Sequence, residues 1–323
     1  MSFSSGVKEE LAIQASQARH CRIALLAAMF HQCPVLTKDM AGIRTENEAL
    51  VRAFENELRR AGFDPVRNEG SGSRISVVIH GEKKVRTFLE MIKLYDRIAP
   101  ELCGDQDARE LVRAEKVSSI LLQKTCCRKA FLKGMFLAAG SVSDPAKSYH
   151  LEIAPLSEED AGQVLKLMSS IGFSARATKR KAKTVVYLKE GEQISDFLGA
   201  IGATGSLMKL ENARILRDIA GNINRQVNFE AANLKKTGIA SLRQLEDIEL
   251  IERTIGIRSL PPNLGSAALL RLENPDKSLT ELAEASDPPV GRSGMNHRLQ
   301  RIKEIADRIR AGESGSMLPE AAR

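Results

Sequence analysis

The chain has 323 residues, 43% of them hydrophobic and 28% charged, with a formal net charge of +7 and a pI near 9.2. These are the proportions of a soluble globular protein of about two or three domains, and no apolar run approaches the ~20 residues that cross a bilayer. The basic balance favours polyanionic partners, whereas 4% aromatics without tryptophan argue against the base-stacking platforms of single-strand binders.

Met1 to Glu10 is polar and carries no leader pattern, so a cytoplasmic protein is expected. The five cysteines, Cys21, Cys33, Cys103, Cys126 and Cys127, fit a reducing compartment and form no CxxC pair. Adjacent Cys126 and Cys127 are expected to project to different sides of any regular element, which favours buried thiols over a metal site.

Residues 1 to 202 contain a weak internal duplication. The apolar helix at Ile23 to Phe30 is matched about 106 positions later by Phe131 to Ala138. An amphipathic helix follows each and ends in a similar phrase, Arg59-Arg60-Ala61-Gly62-Phe63 or Ser169-Ser170-Ile171-Gly172-Phe173. A β run comes next, Ile75 to Ile79 or Val185 to Leu188, and a helix containing Phe88-Leu89 or Phe197-Leu198 closes each copy. Offsets that stay between about 106 and 110 imply two α+β units of roughly a hundred residues each. Ala27, Ala28, Gly134, Ala138 and Ala139 permit close backbone approach, so these helices are candidates for a pseudo-dyad seam. The same residues also suit two unrelated core helices.

Leu132-Lys133-Gly134-Met135-Phe136-Leu137-Ala138-Ala139-Gly140-Ser141 resembles the LAGLIDADG helix of homing endonucleases, with Leu26 to Pro34 as an eroded first copy. In that family each motif ends in a carboxylate that holds the divalent metal for phosphodiester cleavage. The matching positions here are Cys33 and Ala139, and neither can replace an oxygen ligand for Mg²⁺. Asp144, before Pro145, reads as a turn-former. The resemblance thus implies a kept fold, no catalytic residues and no metal or other cofactor.

The second copy adds a basic run, Arg176, Lys179, Arg180, Lys181 and Lys183, between two expected strands. A charge run of this kind suits a solvated hairpin, and equally a secondary contact with DNA phosphates. Leu207 to Leu234 reads as long helix, with an Asn-rich phrase from Asn224 to Asn228 that fits a hinge, a capping network or DNA contacts. Ser241 and Gln244 form a capping-box pattern before Leu245, Ile248 and Ile251, and Pro261-Pro262 suits the first turn of a helix through Leu264, Ala268 and Leu272.

Ser278 and Glu281 cap a short helix that stops at Asp287-Pro288-Pro289. A second helix, starting at Ser293 as its cap, buries Met295, Leu299, Ile302, Ala306 and Ile309. The residues left over are Asn296, His297, Gln300, Arg301 and Lys303, with Arg292 and Arg298 at the flanks. They form the amide and cation inventory that reads base edges and phosphates in a major groove. An ordinary solvated amphipathic helix would carry the same pattern.

The disarmed, doubled LAGLIDADG-like unit and the terminal phrase from Asp287 to Leu299 together resemble the WhiA family of bacterial regulators. So do Met1-Ser2-Phe3-Ser4, Val7 to Leu11, Phe131 to Pro145 and Asn224 to Thr237. The implied fold is α+β: a duplicated LAGLIDADG-homing-endonuclease-like domain followed by an all-α helix-turn-helix domain. The expected division is 1–110 and 111–205 for the two α+β units, 206–235 for a linker helix, 236–312 for the helix-turn-helix domain and 313–323 for a flexible tail. The resemblance implies a sequence-specific DNA-binding transcription regulator of Gram-positive bacteria, acting in sporulation control or in cell division and chromosome segregation. It assigns DNA binding to Arg292, Ser293, Asn296, His297, Arg298, Arg301 and Lys303. Double-stranded DNA is the implied partner, with a sigma factor of RNA polymerase or another regulator beside it, no membrane, and a monomeric, nucleoid-associated, cytoplasmic chain. Two other readings stay open: a non-catalytic chromosome-associated structural protein, and an active homing-type endonuclease.

Overall fold

The computed structural model describes residues 2–70, 73–99, 108–181 and 183–312. Cys103 and the expected tail at 313–323 lie outside them. The chain divides into two compact units, one up to Asp218 and one from Ile219 onwards.

The first unit opens with α1 (Phe3–Ala12). Its first half then runs α2 (Arg19–Gln32), β1 (Pro34–Leu36), β2 (Met40–Thr45), α3 (Glu48–Arg60), β3 (Val66–Glu69), β4 (Ile75–His80) and α4 (Glu82–Met91). After the short α5 (Tyr95–Ile98) and α6 (Arg109–Ala114), the pattern repeats. The second half is α7 (Thr125–Ala139), β5 (Gly140–Val142), β6 (Leu151–Ile153), α8 (Glu158–Ser170), β7 (Arg176–Arg180), β8 (Lys183–Leu188) and α9 (Gly191–Ile201). Each half builds an antiparallel four-stranded sheet, in the order β1-β2-β4-β3 and β5-β6-β8-β7. The duplication read from the sequence is therefore a duplication of topology.

The repeated Gly-Phe phrase has a common physical cause. Gly62 and Gly172 take φ of +89° and +97°, the left-handed conformation that ends a helix. The next amide then turns back to the helix, Phe63 N–H donating to Leu58 O at 3.1 Å and Phe173 N–H to Met168 O at 3.0 Å. This delivers each phenylalanine to the closing helix of its half. Phe63 meets Phe88 edge-on at 5.9 Å and Phe173 meets Phe197 at 5.6 Å. Phe30 and Phe136 of the motif helices join the same clusters, at 5.2 Å from Phe88 and 6.2 Å from Phe197. Each such ring pair contributes about 0.5–1.5 kcal/mol beyond its buried area.

The motif helices α2 and α7 pack along each other in the middle of this unit. Gly134 sits where any side chain would meet α2, a Cβ there falling 2.7 Å from Ala28 Cβ and 2.9 Å from Leu25 O. Ala27 and Ala28 are buried, whereas Ala138 and Ala139 are half-buried.

One cysteine expectation is corrected. Cys126 and Cys127 both lie in the first turn of α7, and their sulfurs do not diverge into separate environments: with His20 and Cys21, their ligand atoms all lie within 4.8 Å of one another. A second helix end faces them, which a one-element argument cannot foresee.

The long helix α10 (Thr204–Thr254) contains 51 residues and belongs to both units. It corrects the expected restart at Ser241, which lies mid-helix and donates to Pro275 O instead of capping anything. The Ser-x-x-Gln pattern is not by itself a helix start; no proline or chain reversal precedes it, so the helical bonds simply continue. The expected linker boundary at 235/236 falls inside this helix. Its Asn-rich segment is exposed and pairs along its own axis, Arg225 with Asn222 at 2.5 Å and Gln226 with Glu230 at 3.1 Å.

The second unit continues with α11 (Pro262–Glu273), α12 (Leu279–Glu284) and α13 (Arg292–Arg310). Its core contains Ile248, Ile251, Leu264, Ala268, Leu282, Met295, Leu299 and Ile302. Leu272, expected in the α11 stripe, is 37% exposed, and Arg271 is buried in its place at 1% exposure. The guanidinium closes the α11–α12 connection by donating to Lys277 O at 2.6 Å.

Candidate nucleic-acid interface

The helix pair is set by local chemistry at both ends of α12. Glu281 N–H donates to Ser278 Oγ at 3.3 Å and Ser278 N–H donates to Glu281 Oε2 at 2.8 Å, forming the expected capping box. The bond from the Ser278 backbone N–H, with the Ser278 side chain adding to it, holds the Glu281 carboxyl below its usual value. The chain leaves α12 through Ala285, turns across Asp287-Pro288-Pro289, and is tied back where Val290 N–H donates to Ala283 O at 3.1 Å.

Helix α13 begins two residues earlier than the sequence implies. Gly291 is the N-cap, with no side-chain capping bond, Arg292 is the first helical residue, and Ser293 lies inside the first turn. The reason is that a residue at the cap needs only extended backbone, which Gly291 supplies with φ −73° and ψ 155°. Without a side-chain cap or an acidic residue in the first turn, the free amides and the positive end of the helix dipole remain available to an anion.

The buried stripe is Met295, Leu299, Ile302, Ile305 and Ala306, so Ile305 joins it and Ile309 is only half-buried. The opposite face exposes Arg292, Ser293, Asn296, His297, Gln300 and Lys303. Arg298 and Arg301 are half-buried at its edge. Two turns along, the character changes. Arg301 pairs with Glu304 at 2.8 Å, Lys303 approaches Asp307 at 3.9 Å, and Arg310 bridges Asp307 at 2.8 Å and Asp247 of α10 at 2.6 Å. Arg292 and Arg298 have no carboxylate within ion-pair distance among the described residues. Arg292–Gln300 is thus the stretch of this face whose cations have no carboxylate competitor among the described residues, whereas Arg301 and Lys303 have one each. Sequence spacing already contained the Arg301–Glu304 and Asp307–Arg310 pairs; the Asp247–Arg310 link is long-range and leaves no local signal.

The basic run of the first unit forms the β7–β8 hairpin, with Lys181 at its turn at φ +55°. All of Arg176, Lys179, Arg180, Lys181 and Lys183 are exposed. Lys179 pairs with Glu158 at 3.1 Å and Arg180 with Glu152 at 3.1 Å, leaving Arg176, Lys181 and Lys183 without a carboxylate partner among the described residues.

At the C-terminal ends of the motif helices, Cys33 caps α2 and Ala139 is the last residue of α7. Burial pushes the Cys33 thiol up. The polar pair at this end is His31 of α2 and Asp160 of α8, joined at 2.9 Å with side chains 5% and 4% exposed. Asp144 Oδ1 accepts from Ala146 N–H at 3.0 Å, closing a turn. Among the described residues, the single group of three or more His, Cys, Asp or Glu side chains close enough to share an ion lies elsewhere, at the N-terminal ends of the same helices.

Residues 223–306 match the family model described as the WhiA C-terminal HTH domain, and residues 128–220 match that of the WhiA LAGLIDADG-like domain. A "Probable cell division protein WhiA" of Lachnospira eligens is 41% identical over 96% of this chain and 98% of its own length. The protein of that name from Caldicellulosiruptor saccharolyticus is 39% identical over 97% of each chain. Among solved structures, full-length DUF199/WhiA from "Thermatoga maritima" superposes with a TM-score of 0.59 at 25% identity, covering 95% of this chain and 99% of that one.

Proposed function

The chain belongs to the WhiA family, and from that premise we propose that it is a sequence-specific DNA-binding regulator that reads the major groove with the first two turns of α13. The observation that carries this reading is the exposed face from Arg292 to Gln300, amide-rich and cationic, uncapped at its N-terminus and set against a capped α12. Asn296 and Gln300 are suited to adenine, His297 and Arg301 to guanine or phosphate, and Ser293 to either. Arg292, Arg298 and Lys303 position the backbone. The hairpin residues Arg176, Lys181 and Lys183 add phosphate affinity without sequence preference, with Lys179 and Arg180 contributing once their carboxylate partners are displaced.

The proposed cellular roles are those of the relatives' name, cell division, together with sporulation control and chromosome segregation through transcription. A sigma factor or a second regulator is the proposed protein partner, and the working form is a nucleoid-associated, cytoplasmic monomer. The proposed domain division keeps two α+β units, a linker helix and the helix-turn-helix domain. The reading includes no nuclease activity, because the metal-holding positions of the motif are Cys33 and Ala139.

Genome-wide mapping of bound sites, with the wild-type chain and with a variant carrying Asn296→Ala and His297→Ala, tests the proposal. Discrete peaks that vanish in the variant are expected. Salt-sensitive binding equal on every fragment would instead favour a structural chromosome protein acting through the hairpin. Plasmid nicking with Mg²⁺ or Mn²⁺, abolished by a carboxylate substitution in the first unit, would overturn the non-nuclease reading.

A further inference from the structure

The N-terminal ends of α2 and α7 carry a cluster unrelated to DNA reading. His20 and Cys21 occupy the first turn of α2, and Cys126 and Cys127 the first turn of α7. His20 and Cys126 are 106 positions apart, as are Cys21 and Cys127 and the first residues of the two helices, Arg19 and Thr125. The duplication thus places equivalent pairs of side chains together at one end of the seam, opposite the end where the nuclease motif would hold its metal.

The geometry is that of one small coordination sphere. His20 Nδ1 lies 3.3 Å from Cys21 Sγ, 3.2 Å from Cys127 Sγ and 4.0 Å from Cys126 Sγ. All four ligand atoms lie within 4.8 Å of one another. A tetrahedral ion with bonds of about 2.3 Å to sulfur and about 2.0–2.1 Å to nitrogen needs ligand atoms roughly 3.5–3.8 Å apart. The existing spacing requires only small side-chain adjustments to reach that.

We propose that His20, Cys21, Cys126 and Cys127 bind a single Zn²⁺ ion that clamps the two halves of the first unit together. Three sulfurs and one imidazole make a soft donor set, which selects Zn²⁺ over Mg²⁺ or Ca²⁺. Four protein ligands leave no open position, the arrangement of a structural site. Binding releases the thiol protons, leaving three thiolates and a dication with a net charge of −1. That charge rests against the positive ends of two helices of 14 and 15 residues and beside Lys124, the N-cap of α7.

The test uses the full chain, purified under reducing conditions, stripped with a chelator, reloaded with Zn²⁺ and desalted. One Zn²⁺ per chain is expected by elemental analysis. Co²⁺ in its place should give the intense visible absorption of a tetrahedral, thiolate-bound ion. Cys21→Ser, Cys126→Ser and His20→Ala should each weaken Zn²⁺ binding at least about 100-fold, since even losing a supporting group around a metal costs ~10–100-fold. Cys33→Ser, at the other end of α2, should leave it unchanged. Cys126 is exposed, so its serine variant is the one whose folding is least at risk, and circular dichroism checks it. A reduced wild-type chain that retains no Zn²⁺ overturns the proposal. So does a Co²⁺ spectrum indifferent to Cys126→Ser, or a freshly isolated chain in which two of these cysteines form a disulfide without metal.

Discussion

Gly134 of α7 lies against Ala28 of α2 so closely that a Cβ at the glycine would stand 2.7 Å from the alanine's own Cβ. Both flanking structures are helix interiors with Leu25 O a further 2.9 Å from that point, so neither side can yield cheaply. Gly134→Ala is expected to destabilise the first unit by about 1–3 kcal/mol, despite alanine's better helix propensity. Chemical denaturation monitored in this unit checks it, and an unchanged midpoint would show the seam to be looser than described.

His31 and Asp160 join the two halves at the other end of the seam. Burial by itself raises the Asp160 carboxyl, but hydrogen bonds from His31 and from Ser157 outweigh it and hold it below its usual value. A carboxyl depressed on folding contributes stability above its unfolded value of about 3.9, and that contribution is lost as pH falls through the lower folded value. Asp160→Asn should therefore cost about 1–3 kcal/mol at neutral pH and flatten the acid limb of the stability profile. Equal acid sensitivity of the two proteins below pH ~4 would assign that limb to other groups.

On α13, the proposed recognition helix, Asn296→Ala should cost about 1–3 kcal/mol of specific DNA binding and relax preference at one base position. Arg292→Ala should weaken specific and non-specific binding alike and lower the salt slope by about one. Arg301→Ala should cost less than Asn296→Ala, because Arg301 is already engaged by Glu304. Fluorescence anisotropy over a salt series separates the three, and a larger loss for Arg301→Ala would move the reading face towards that edge.

Arg271 closes the loop that launches α12. Burial lowers its basicity, and its guanidinium meets backbone carbonyls in place of a carboxylate. Arg271→Met keeps the bulk but leaves Lys277 O unpaired, for an expected loss of about 1–3 kcal/mol in the second unit. Ser278→Ala should cost about 1 kcal/mol by removing the N-cap. Amide exchange across Leu279–Arg310 reports both, and unaltered protection in either variant would show that the helix pair is held without that contact.

The sequence by itself determined the duplication, the close approach of Gly134 to Ala28, the capping box at Ser278 and Glu281 and four members of the buried stripe of α13, Met295, Leu299, Ile302 and Ala306. Each of these is periodic or local: a repeat is visible as an offset, a cap as a three-residue spacing, a face as steps of three and four. Tertiary structure alone decided the rest. Leu272 yields its place to Arg271 because a loop of carbonyls happens to need a donor there. Ser241 lies within a continuous helix and donates its hydroxyl to Pro275 O, 34 residues away, so it caps nothing. Cys126 and Cys127 share a cluster because the pseudo-dyad brings a second helix end to them. These outcomes depend on groups far apart in the chain meeting in space, and such a meeting leaves no spacing or periodicity by which to foresee it.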